Sequence, residues 1–80
     1  MKIYGRAAAN SNDAAPSALV EAALCATPDE LRRIAAFLTL CADELEYLGE
    51  RYGHLHLADR MSGFGGSPTL TVFAAESGSA

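Results

Sequence analysis

The sequence predicts an α+β fold of order ββαββ, a two-layer arrangement with one long helix on one face of a four-stranded, mostly antiparallel sheet. Three observations carry that prediction. An apolar stripe of helical period opens at a strong start signal near the middle of the chain. Two segments that alternate with period two precede it, and two follow it. Turn-rich stretches separate the members of each pair.

The first strand is read over residues 2–8, "KIYGRAA". Ile3, Gly5 and Ala7 lie on one side, and Lys2, Tyr4 and Arg6 on the other. The polar segment "ANSNDAAPS" (9–17) is read as a loop. The second strand is read over 18–26, with Val20, Ala22 and Leu24 on one face and Leu19, Glu21, Ala23 and Cys25 on the other. Its alanines also permit a helical reading.

The helix start is "TPDE". Thr27 occupies the N-cap, Pro28 the first helical position and Glu30 the third, which is a capping box. Leu31, Ile34, Leu38, Cys41, Leu45 and Leu48 then recur at spacings of three and four. The helix is expected from Pro28 to about Arg51, capped by Gly53. Beyond it the period returns to two. "HLHLADR" (54–60) places Leu55 and Leu57 on one side and His54 and His56 on the other. A glycine-rich loop (61–68) leads to a last strand (69–75), with Leu70, Val72 and Ala74 inward and Thr69, Thr71 and Phe73 outward. Residues 1–75 form one domain on this reading, and 76–80 a frayed tail.

Eighty residues bury only roughly 60–65% of their unfolded surface, so a partner subunit would be unsurprising. The formal net charge of −4 and pI of about 4.9 disfavour nucleic acid and acidic membrane surfaces. A basic protein partner is compatible, because opposite charge speeds encounter. Two cysteines, Cys25 and Cys41, are too few for a secreted disulfide scaffold. The N-terminal stretch lacks a signal-peptide core, and the expected location is cytoplasmic.

Three constellations are candidate sites. His54 and His56 point the same way on a strand and could share an ion, but zinc needs at least a third protein ligand. Asp59 has the parity of the leucines and drops out as a ligand, and Glu21 or Cys25 could lie on the His face only if strand order permits; no metal site and no cofactor are expected. "SGFGGSP" lacks the lysine and the following helix of a phosphate loop. Phe64 within it either tucks against the sheet edge or serves as an exposed anchor.

The outer face of the helix is the main partner-binding candidate. It gathers Leu40, Asp43, Glu46, Tyr47 and Glu50, with three carboxylates at the helix end where the macrodipole disfavours them. The sheet face left uncovered by the helix is a second possible interface, through Tyr4, His54, His56 and Phe73. No residue set suggests catalysis.

Three stretches carry a family resemblance: "ATPDELRRIAAFL" (26–38), "YGHLHLADR" (52–60) and "SPTLTVFA" (67–74). They resemble the immunity protein 32 family of bacterial polymorphic toxin systems over roughly residues 18–75. The resemblance implies a small α+β protein that binds and neutralises a cognate toxin made by the same cell. It carries over no catalytic or binding residue. The leading expectation is thus a non-catalytic immunity-type inhibitor of a basic toxin. The alternatives are a homodimeric module pairing through the open sheet face and a small metal-binding protein using His54 and His56.

Overall fold

The computed structural model describes residues 1–7 and 18–75. The loop expected at 9–17 and the tail expected at 76–80 lie outside the described residues. In chain order the elements are β1 (Lys2–Ala7), β2 (Leu19–Cys25), α1 (Pro28–Leu48), a 3-10 turn (Gly49–Arg51), β3 (His54–His56), α2 (Leu57–Arg60) and β4 (Thr71–Phe73). The α+β class and the element order hold, with the short α2 added.

The start of α1 is the capping box expected. The Glu30 N–H donates to Thr27 Oγ1 at 3.2 Å, and the Thr27 N–H donates to Glu30 Oε1 at 2.8 Å. The helix ends earlier than expected, at Gly49 rather than Gly53. Gly49 takes φ +56°, and its N–H donates to the Leu45 carbonyl. A glycine adopts that conformation without a Cβ penalty, so the first suitable glycine stops the helix. The buried face is also rotated from the expected stripe. Ile34, Phe37 and Cys41 are buried, whereas Leu31 and Leu38 are 47% and 48% exposed.

The single four-stranded sheet does not form. There are two antiparallel sheets of two strands each, β1–β2 and β3–β4. Chain geometry accounts for part of this. After His56 the backbone turns helical, and the Leu57 N–H donates to the Leu70 carbonyl at 2.9 Å. The strand expected over 54–60 is therefore three residues long, and the one expected over 69–75 is likewise three. Packing accounts for the rest. The helix buries its face against Leu57 and Phe64, with Leu55, Leu70 and Val72 around them. Leu57 and Phe64 thereby occupy the helix face that a four-stranded sheet would have to cover. Phe64, in the glycine-rich loop, is only 2% exposed and belongs to the core.

The β1–β2 ribbon stands outside that core. Every residue of β2 is exposed, as are all of β1 except Ile3. Its register pairs Ile3 with Leu24, Gly5 with Ala22, Arg6 with Glu21 and Ala7 with Leu19. Val20 is an extra residue at a bulge, and this corrects the expected facing of β2. Leu19 returns to the side of Ile3, Gly5, Ala7, Ala22 and Leu24. A Cβ at Gly5 would lie 2.8 Å from Leu19 Cδ1. One ribbon face is consequently apolar throughout. The other carries Lys2, Tyr4, Ala23 and the Arg6–Glu21 ion pair at 3.4 Å.

Candidate functional site

The 3.6-residue period of α1 places Asp43, Glu46 and Tyr47 on the surface opposite the core, and Glu50 follows in the 3-10 turn. Leu40 is half-buried beside them. Tyr47 is 82% exposed, the highest value among the large apolar and aromatic side chains. Among the described residues, no ion pair engages Asp43, Glu46 or Glu50. The last turn of α1 contains no basic residue, so the carboxylates face the negative end of the macrodipole, and Arg51 in the 3-10 turn that follows offsets part of this. Glu44 differs: it accepts from Arg60 at 2.9 Å and ties α1 to α2. Asp43, Glu46 and Tyr47 are thus exposed on α1 with Leu40 half-buried, while Glu50 lies beyond the helix in the 3-10 turn.

The second predicted interface is only partly assembled. The β3–β4 register sets His54 opposite Phe73 and His56 opposite Thr71. The His54 ring stacks on Phe73 at 5.1 Å and meets His56 edge-on at 4.9 Å. The Nδ1 of His56 and the Thr71 hydroxyl share a hydrogen bond of 2.8 Å. Tyr4 does not join them, because it belongs to the separate ribbon and no common sheet exists. Among the described residues, no group of three His, Cys, Asp or Glu side chains could hold a metal. Cys25 and Cys41 are free thiols, the first exposed and the second buried.

Other polar contacts fix the scaffold. Arg33 donates to Asp29 at 2.9 Å and to the Ser62 carbonyl and hydroxyl, each at 2.8 Å, which pins the glycine-rich loop to α1. Glu30 receives the Met1 amine at 2.8 Å. That amine, followed by the Thr27 N–H, holds the Glu30 carboxyl below the ordinary range. Burial, together with the neighbouring Cys41, pushes the Tyr52 hydroxyl above its ordinary value. That hydroxyl donates to the Val72 carbonyl at 3.1 Å. A shallow cleft of about 400 Å³ lies between Leu45, Gly49, Glu50, Tyr52, Ala74 and Ala75. Only Glu50 brings a charge to it.

Sequence reasoning missed one feature. Leu19 and Leu24 on the ribbon are 52% and 43% exposed, and Leu31 and Leu38 on α1 are similarly open. Leu31, Ala35, Leu38 and Ala42 follow one another at spacings of four, three and four, forming an exposed apolar line beside the buried face. The spacing was legible. Which of two adjacent apolar lines would be buried was not.

Compared with protein-family models, curated proteins and solved structures, the chain matches none. Among the described residues, no helix is long and apolar enough to cross a membrane.

Proposed function

We propose that this chain is a non-catalytic protein-binding domain, an immunity-type inhibitor that occludes a basic bacterial toxin. The observation that supports it best is the outer surface of α1. A nearly fully exposed tyrosine sits among three carboxylates that have no cationic partner among the described residues. Tyrosine is enriched among the residues that dominate interface energetics. An acidic rim steers a basic partner and accelerates encounter. The surface rests on a regular helix fixed to the core by Ile34, Phe37 and Cys41, so its backbone is ordered before binding.

The test is binding to the product of a neighbouring toxin-like gene, together with protection of cells that express it. Tyr47→Ala should weaken binding by about tenfold or more. Reversing Asp43 and Glu46 to lysine should slow association and flatten its salt dependence. Absence of both binding and protection would end this reading. Unchanged association in the double reversal would move the contact to another surface.

A further inference from the structure

The two histidines of β3 are the sequence feature that the proposed function leaves unused. Among the described residues no third protein ligand joins them, which excludes a permanent zinc centre of three or four protein ligands. It does not exclude a chelated, exchangeable ion, and three features of the pair fit one.

The first is separation. His54 and His56 are two residues apart on a strand, so both rings project from one face. Their ring centres lie 4.9 Å apart, with the planes crossed at 81°. Two imidazoles on one tetrahedral ion, at metal–nitrogen distances of about 2.0–2.1 Å, have ring centres roughly 5 Å apart. The second is the hydrogen bond of 2.8 Å between His56 Nδ1 and the Thr71 hydroxyl. A metal-binding histidine generally donates its other ring N–H to such a partner, which fixes the tautomer and the ring plane. With Nδ1–H donating to Thr71, Nε2 presents its lone pair. The third is the stacking of His54 on Phe73 at 5.1 Å, with the planes 30° apart. A ring held in this way loses less freedom when it binds.

We propose that His54 and His56 chelate one divalent transition-metal ion of the imidazole-preferring class that includes Zn²⁺, Cu²⁺ and Ni²⁺. His56 ligates through Nε2, and His54 supplies the second imidazole nitrogen. Water holds the remaining positions. Asp59 does not contribute, because the backbone turns helical directly after His56. Glu21 and Cys25 belong to the separate β1–β2 sheet. Mg²⁺ and Ca²⁺ do not compete, since they take oxygen ligands. With only two protein ligands the ion exchanges with solvent. The site does not rest on the toxin reading, because it lies on the β3–β4 sheet and the acidic patch on α1.

The experiment is calorimetric titration of the full chain with zinc chloride from about 1 µM to about 1 mM, the range of an exchangeable ligand. One ion should bind per chain, and excess Mg²⁺ should not displace it. His54→Ala and His56→Ala should each weaken binding at least tenfold, because each leaves a single imidazole. Thr71→Val keeps both ligands and removes the orienting hydrogen bond, so it should weaken binding by roughly tenfold. Cys25→Ser should bind zinc like the unsubstituted protein, although Cys25 is an exposed thiol. Circular dichroism checks that each variant keeps its helix. A second measurement needs no substitution: in proton–carbon correlation spectra the ring resonances of His54 and His56 should shift together as zinc is added. Equal uptake by the unsubstituted protein and both alanine variants would place the ion on surface carboxylates and overturn the proposal. Loss of binding in Cys25→Ser, or a response from only one histidine ring, would overturn it as well.

Discussion

Phe64 is the residue by which the architecture is most directly tested. It lies in a loop with four glycines or serines on its two flanks, "SGFGG", where the sequence allows either a tuck against the sheet edge or an exposed anchor. It is 2% exposed and packs with Ile34, Phe37, Cys41 and Leu57. Phe64→Ala removes one of five residues in that cluster. Buried phenylalanine truncations cost about 3–5 kcal/mol. The glycines beside it let the loop settle into part of the cavity, which favours the lower end, about 3 kcal/mol. A domain of this length has roughly 4–12 kcal/mol in total. The melting temperature should accordingly fall by about 12–24 °C. Phe73→Ala is the control. Phe73 is 68% exposed and stacks only on His54, so its loss should cost about 1 kcal/mol or less. Urea unfolding followed by circular dichroism measures both. Equal midpoints for the two variants would refute the placement of the loop in the core, and with it the reason given for the split sheet.

Three further outcomes follow from local geometry. Thr27→Ala removes the side-chain half of the capping box and should cost about 1 kcal/mol in urea unfolding, while Thr27→Ser should cost a fraction of that. Gly49→Ala places a Cβ at φ +56° and should cost about 1–3 kcal/mol although nothing crowds the site; an unchanged midpoint would mean that the helix end relaxes. The Glu30 carboxyl is depressed in the folded state by the Met1 amine and the Thr27 N–H. Its stabilising contribution is therefore complete above the unfolded value of about 4.5 and is lost as the pH falls through the lower folded value. Glu30→Gln should lower stability at neutral pH and flatten the acid limb of a stability profile; parallel profiles for the two proteins would contradict the ion pair.

Much of the fold was legible because its signals are local. Thr27, Pro28 and Glu30 announce the helix within four residues, and the capping box forms as its chemistry requires. The parity of "HLH" is equally local, so His54 and His56 share a face with Phe73 and Thr71 while Leu55 turns inward. The acidic patch was readable for the same reason, since a helix fixes which residues are neighbours. The failures are all competitions. Gly49 and Gly53 both qualify as a helix stop, and the earlier one acts. Leu31 and Leu38 compete with Phe37 for the buried line, and the larger ring lies at its centre. The bulge at Val20 reverses the facing of Leu19, which no alternation rule anticipates. The sheet splits where Phe64 and Leu57 take the helix face that the ribbon, with Ile3, Leu19 and Leu24, would otherwise cover.

That last competition links the fold to its proposed partners. The core is compact because one loop aromatic and one short helical turn close it early. Among the described residues, the same closure leaves the ribbon outside the core and a line of leucine and alanine exposed on α1. Replacing Gly5, Ala7 or Ala22 with larger apolar residues would raise the ribbon's share of buried surface, but Gly5 already yields its space to Leu19. The acidic outer surface of α1 has the opposite character and suits a basic protein. The helix thus carries two exposed surfaces of contrasting chemistry, the line of Leu31 and Leu38 and the surface around Tyr47, and only the second has a charge that would select a basic partner.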